Sequence, residues 1–248
     1  VGDDDRVDAL IEKARAAYEA EKGSTTALNA LVDLLMKRER EADENAAIRV
    51  LAEAFADSQN FSFKARADDL RMKQLTRAGR RLVAKLRANP RDAAVKDAAR
   101  KHRREQLAFE IGSFRERVER YPTYLRVKFS LAERLFKNRQ YDEAIPIFQK
   151  AKADGRSRNA CKLYIGRCFF EKQLHSEAVS VLKQAVEEHE MGGRDSTGKE
   201  LHYWWARALE AQGAKTEAVQ VFGQLIQWEY NYADARRRLE QLRQEGAA

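Results

Sequence analysis

Leu131-Ala132-x-x-Leu135, followed by Tyr141-Asp142-Glu143-Ala144-x-x-x-Phe148-x-x-Ala151, returns without a gap as Ile165-Gly166-x-x-Phe169 and His175-Ser176-Glu177-Ala178-x-x-x-Leu182-x-x-Ala185. The offset is 34 residues, from Ala132 to Gly166 and again from Ala144 to Ala178. A third copy reads Trp205-Ala206-x-x-Leu209, then Gly213 and Thr216-Glu217-Ala218-x-x-x-Phe222-x-x-Leu225, displaced from the second by 40. The six extra residues fall in Met191–Gly198, which reads as a loop between repeats. Self-similarity at such a period marks stacked supersecondary units. Small residues at Ala132, Gly166 and Ala206 let the first helix of each unit approach its partner closely. Ala144, Ala178 and Ala218 do the same for the second helix, and Phe148, Leu182 and Phe222 fill the space between units.

The rest of the chain suits helices. Among 248 residues there are 3 prolines and 12 glycines, so long stretches run without a breaker. Hydrophobic residues make up 44%, enough for a continuous core, and charged residues 35%, above the roughly one-quarter usual in globular domains. Strand-like alternation is missing, and the chain reads as all-α. Helices are expected over 5–22, 26–40, 44–57, 62–88 and 91–121 ahead of the clear repeats. Leu28, Leu31, Leu34 and Leu35 give an apolar stripe, and Ala47, Leu51 and Ala54 echo the second-helix signature. Asn89-Pro90 interrupts an otherwise continuous helical pattern, as a proline opening the next helix would.

The repeated residues resemble the tetratricopeptide repeat family, in the form of bacterial-type scaffold proteins, over residues 122–230. Pro122 stands where the family often ends one repeat before the next. The family's large aromatic early in the first helix is replaced by Lys128, Lys162 and His202. The resemblance implies a right-handed superhelical solenoid of helix–turn–helix units. Four regions follow as expectations: N-terminal helices with a degenerate unit over 1–60, an extended basic helical hairpin over 61–121, three repeat units over 122–230, and a C-terminal capping helix over 231–248.

The resemblance also implies a concave groove lined by one face of each first helix, holding an extended or helical peptide. Carried over by register, its residues are Arg126, Phe129, Glu133, Phe136 and Lys137 in the first unit, then Leu163, Arg167, Phe170 and Glu171, then Tyr203, Arg207 and Glu210. Aromatics interleaved with arginines are the materials of protein-binding hot spots. The chain's own N-terminal helices, or another copy, could instead fill the groove. Some family members clamp chaperone tails with paired Lys, Asn and Arg; those positions hold Phe129, Glu133, Tyr164, Glu200 and Trp204 here, which does not fit such a clamp.

Charge adds a second candidate surface. The net charge is +8, with a pI near 9.4. Residues 64–104 hold fifteen Lys/Arg against Asp68, Asp69, Asp92 and Asp97, so this segment carries +11 and the remainder −3. Arg77, Arg80, Arg81, Lys85, Arg87, Arg100, Lys101, Arg103 and Arg104 are the candidate contacts for an acidic surface, a nucleic acid or another polyanion. A solvated helical face is the plainer reading, since the segment lacks aromatic residues to stack on bases.

Catalytic chemistry finds no footing. His102, His175, His189 and His202 are scattered without metal-ligand spacing, and no serine sits in a nucleophile elbow. Gly193–Glu200 nearly spells a phosphate-binding loop, but Glu200 stands where Ser or Thr should follow the lysine. No enzyme, cofactor or metal site is expected. Cys161 and Cys168 lie two turns apart on one helix, about 10 Å, too far for a disulfide between them. No apolar run approaches the roughly 18 residues of a membrane span. With no signal peptide visible, a cytoplasmic location is favoured, and a start at Val1-Gly2-Asp3 without methionine is compatible with a piece of a longer protein. The sequence therefore reads as a scaffold for a protein or peptide, with polyanion binding by the hairpin or self-association as the alternatives.

Overall fold

A computed structural model describes residues 3–38, 40–189 and 194–246. Those residues form twelve α-helices, with no strand among them. The chain divides into two compact units, Val1–Ser113 and Phe114–Ala248.

The first unit contains α1 (Asp3–Ala20), α2 (Thr25–Met36), α3 (Glu41–Ser58), α4 (Phe61–Ala88) and the greater part of α5 (Ala93–Arg120). Its core gathers Ile11 and Tyr18 of α1, Leu28, Leu31 and Leu35 of α2, Ala47, Leu51 and Ala54 of α3, and Phe63, Ala67 and Leu70 of α4. Side-chain oxygens start two of these helices. Ser24 accepts from the Ala27 amide (3.4 Å) and Asn60 from the Ser62 amide (3.1 Å), each replacing a backbone partner missing at a helix start. The expected helix over 26–40 stops at Met36, and its successor begins at Glu41 instead of 44. Arg38, just past the end of α2, turns its guanidinium to Asp43 (2.9 Å at both oxygens) and Asp8. Glu44, 2% exposed, is held by Arg77 and by Gln74 (3.2 Å), tying α3 to α4.

Core contact with α4 ends early. Between Gln74 of α4 and Leu107 of α5 no residue is buried. Over that stretch the two helices meet through a thin seam: His102 Nε2 lies 2.8 Å from the Leu75 carbonyl, and Gln106 donates to Thr76 (3.3 Å). Gly79 faces the His102 ring so closely that a Cβ would stand 3.3 Å from it.

The second unit is built of α6 (Leu125–Lys137), α7 (Tyr141–Ala151), α8 (Arg158–Glu171), α9 (His175–Glu187), α10 (Ser196–Gln212), α11 (Lys215–Trp228) and α12 (Ala235–Gly246). They pair as α6–α7, α8–α9 and α10–α11, each pair packing on the next, with α12 against α11. The three turns inside the pairs share one backbone design. Gln140, Leu174 and Ala214 each donate to the carbonyl five residues back, all at 2.9 Å. Arg139, Gln173 and Gly213 donate three residues back and sit at φ 61°, 61° and 89°. This is the Schellman closure, whose left-handed residue favours glycine; only the third copy supplies one.

Packing follows the repeated columns. Ala132 and Ala206 are 0% exposed and Gly166 is buried; Ala144, Ala178 and Ala218 are each 0% exposed, as are Phe148, Leu182 and Phe222. Close approach is needed at Gly166, where a Cβ would lie 2.4 Å from Leu182 Cγ. The inter-repeat loop expected at Met191–Gly198 is shorter than that. Asp195 accepts from the Gly198 amide (2.7 Å) and starts α10 at Ser196, so Ser196–Gly198 are helical, while 191–193 lie outside the described residues. The resemblance of Gly193–Glu200 to a phosphate loop ends there too. Cys161 and Cys168 are free and buried, and burial pushes their thiols up to about 11 and about 12. No helix among the described residues is long and apolar enough to cross a membrane.

Candidate functional site

Within the second unit the first helices line up on one another, α6 on α8 and α8 on α10, more closely than α7, α9 and α11 do. Their buried stripes hold Leu131 and Leu135 in α6, Ile165 and Cys168 in α8, and Ala206 and Leu209 in α10, the last two packed with Phe222 and Leu225 of α11. The neighbouring stripe, one step around the helix, remains half-buried and carries the rings.

These rings touch from unit to unit. Phe129 meets Tyr164 edge-on (6.0 Å between centroids), Phe136 meets Tyr164 at 5.2 Å, and Tyr164 stacks on buried Phe148 at 5.0 Å. Phe170 meets Trp204 at 5.5 Å, and Trp204 meets Tyr203 at 5.7 Å. Two arginines lie across the series. The Arg167 guanidinium stands 4.9 Å from the Phe136 ring and 4.6 Å from the Trp204 ring; that of Arg207 stands 5.2 Å from Phe170 and 5.5 Å from Trp204. A cation over a ring face is attracted by the ring quadrupole, and the contact orients the planar fork.

Carboxylates complete the array. Arg167 donates to Glu200 (3.3 Å), and Arg207 lies 3.7 Å from Glu210, which also accepts from Arg238 (2.9 Å). Tyr164 donates to Glu133 (3.1 Å). Burial, then the negative Glu133, pushes the Tyr164 hydroxyl up to about 12, so it stays a donor. The Arg167 Nε is buried without a hydrogen-bond partner among the described residues.

Eight of the twelve groove candidates join this array: Phe129, Glu133, Phe136, Arg167, Phe170, Tyr203, Arg207 and Glu210. Arg126, Lys137 and Glu171 are exposed at the ends of α6 and α8. Leu163 goes elsewhere: 5% exposed, it packs in the core with Ala178, Leu182 and Leu201. Its neighbour Tyr164 occupies the face instead. Tyr164 and Trp204, which the sequence placed at clamp positions but not among the partner contacts, sit at the centre of the array. The signal was available, since Ser130, Tyr164 and Trp204 stand in one column at offsets 34 and 40.

The basic candidates divide differently. Arg77 is committed to buried Glu44. Arg80, Arg81, Lys85, Arg87, Arg100, Lys101, Arg103 and Arg104 are exposed. No group of three or more His, Cys, Asp or Glu side chains is arranged to hold a metal ion among the described residues.

Comparison with known proteins bears on the fold. Residues 200–227 match the family model described as tetratricopeptide repeat. No curated protein matches the chain in sequence. Among solved structures, YrrB, described as a TPR protein with an unusual peptide-binding site, superposes with a TM-score of 0.59 at 14% identity, covering 92% of this chain and 97% of its own. The MamA protein superposes with a TM-score of 0.53 at 17% identity, covering 84% of this chain and 94% of its own.

Proposed function

We propose that this chain, a tetratricopeptide-repeat protein, is a protein-interaction scaffold that binds a peptide or helical segment along the shared face of α6, α8 and α10. One observation carries the reading: half-buried rings and ring-stacked arginines run without interruption from Phe129 to Tyr203. Aromatic rings supply rigid contact area with few rotors to freeze, and guanidinium forks supply oriented donors. Glu200 and Glu210 already hold the two arginines, so little ordering is left for binding to offset. Arg126, Lys137 and Glu171 stand at the rim, where charge tunes encounter and register more than affinity. The description of YrrB as having a peptide-binding site supports the reading without naming the peptide.

Selection from a displayed random-peptide library tests it. Selected peptides should lose at least about tenfold in affinity against Trp204→Ala and against Arg167→Ala, with both variants still helical. A library that yields no binder, or binders indifferent to both substitutions, contradicts the proposal.

A further inference from the structure

The hairpin formed by the ends of α4 and α5 is a surface of another kind, independent of the groove. Residues 78–104 contain ten Lys/Arg and only Asp92 and Asp97 as acids. Arg80, Arg81, Lys85, Arg87, Arg91, Lys96, Arg103 and Arg104 are all exposed, and none has an ion-pair partner among the described residues. The two cations that do, Arg100 with Asp97 (3.7 Å) and Lys101 with Glu105 (4.0 Å), form long contacts in full solvent. Nearer the core of the unit, Arg38, Arg66 and Arg77 are each clasped by acids. Residues 1–63 hold eight Lys/Arg against fourteen Asp/Glu. Positive charge is thus concentrated at one end of the unit and left uncompensated there. Such an array repels itself and works against the thin seam that joins the two helices.

The arrangement of the cations narrows the partner. At about 100° per residue, Arg80, Arg81, Lys85 and Arg87 fall within a stripe roughly 160° wide on α4, opposite the Leu75–Gly79–Leu82 seam. On α5, Lys96, Arg100, Lys101, Arg103 and Arg104 occupy a similar stripe away from Ala99, His102 and Gln106. Both outer faces of the hairpin are therefore basic. A lipid surface takes up a basic helix through an apolar face as well as through charge, and beyond Val83 neither outer face supplies one. A protein partner needs apolar or aromatic anchors, and Val83, 45% exposed, is the only large exposed apolar side chain among the described residues of this stretch. A nucleic-acid backbone needs neither anchor nor flatness. It carries one charge per about 1.7 Å of duplex, and arginine forks match phosphate oxygens.

We infer that the α4–α5 hairpin binds double-stranded nucleic acid through its phosphates, without reading base sequence. Residues 78–104 contain no phenylalanine, tyrosine or tryptophan to stack on bases, and their one imidazole, His102, is held against the Leu75 carbonyl. The whole interaction then rests on counterion release.

Fluorescence anisotropy with a labelled 20-base-pair mixed-sequence DNA duplex tests this on the full chain. Binding should be measurable at 50 mM salt, with a slope of log K against log salt of about −4, from about four to five phosphate contacts. That slope means a loss of more than about a hundredfold between 50 and 200 mM. Duplexes of different sequence should bind within about twofold of one another. The variant Arg80→Gln/Arg81→Gln/Arg103→Gln/Arg104→Gln, with its helical content unchanged, should bind at least about tenfold more weakly and with a shallower slope. Replacing Arg236 and Arg237 by Gln should change affinity by less than about twofold. No binding at 50 mM salt overturns the inference, as does a fourfold variant that binds like the parent. Tighter capture by poly-glutamate or by phosphatidylserine vesicles than by the duplex also overturns it.

Discussion

Gly166 shows how tightly single atoms are set in the repeat. Its missing Cβ leaves room for Leu182, whose Cγ would otherwise be 2.4 Å away and whose side chain is fully buried. Gly166→Ala should therefore lower unfolding stability by about 1–3 kcal/mol through overpacking, even though alanine is the better helix former. Gly223 is the control, with nothing within 4 Å of its added Cβ and an ordinary helical setting. Gly223→Ala should raise stability by about 0.5–1 kcal/mol. Chemical denaturation of the two variants checks both signs. The sequence already marked Gly166 as a close-approach position, because it alternates with Ala132 and Ala206 in one column. The same columns did not prevent the misplacement of Leu163. One residue is about 100° of helix, so choosing Leu163 over Tyr164 exchanged a core position for the face.

Elements were legible where several weak signals agreed, and misjudged where one signal stood alone. α7 contains Pro146 at its sixth position, which local rules treat as a helix breaker; the flanking columns Ala144, Phe148 and Ala151, all 0% exposed, override it. The start of α10 was hidden by glycines at 192, 193 and 198, although Asp195 is a good N-cap residue. α12 packs on α11, with Leu239 and Leu242 in the shared core, and is tied to α10 by charge. Asp234 accepts from Tyr203 (2.8 Å), Arg238 (3.0 Å) and Arg237 (2.9 Å). Burial alone would raise the Asp234 carboxyl, but these donors together outweigh it and hold the carboxyl down at about 2. A depressed folded-state value means that the clasp stabilises fully above the ordinary value of 3.8 and is lost as pH falls from there towards about 2. Thermal unfolding of the parent should exceed that of Asp234→Asn at pH 6, and the gap should close between pH 4 and pH 2. A gap independent of pH contradicts the assignment.

Across the whole molecule, periodicity made the second unit readable and charge made the first one interesting. The three turns of the second unit repeat even in their backbone hydrogen bonds, a regularity that the side-chain columns foreshadowed. The first unit lacks such columns beyond Ala47, Leu51 and Ala54, and polar clasps such as Arg38 with Asp43 and Arg77 with Glu44 join its helices. Those clasps follow no sequence period, so reading along the chain could not place them. The aromatic array was half legible: its arginines and outer rings follow the expected register, while Tyr164 and Trp204 show their role only once the rings are seen to meet. Site-specific photo-cross-linking in an extract of the protein's own cells addresses the array directly. Benzoylphenylalanine placed at Lys137 or Glu171, on the ends of α6 and α8, should cross-link to another polypeptide. The same probe at Lys150 or Gln184, exposed on α7 and α9, should not. Cross-links confined to the α7 and α9 positions would contradict the account.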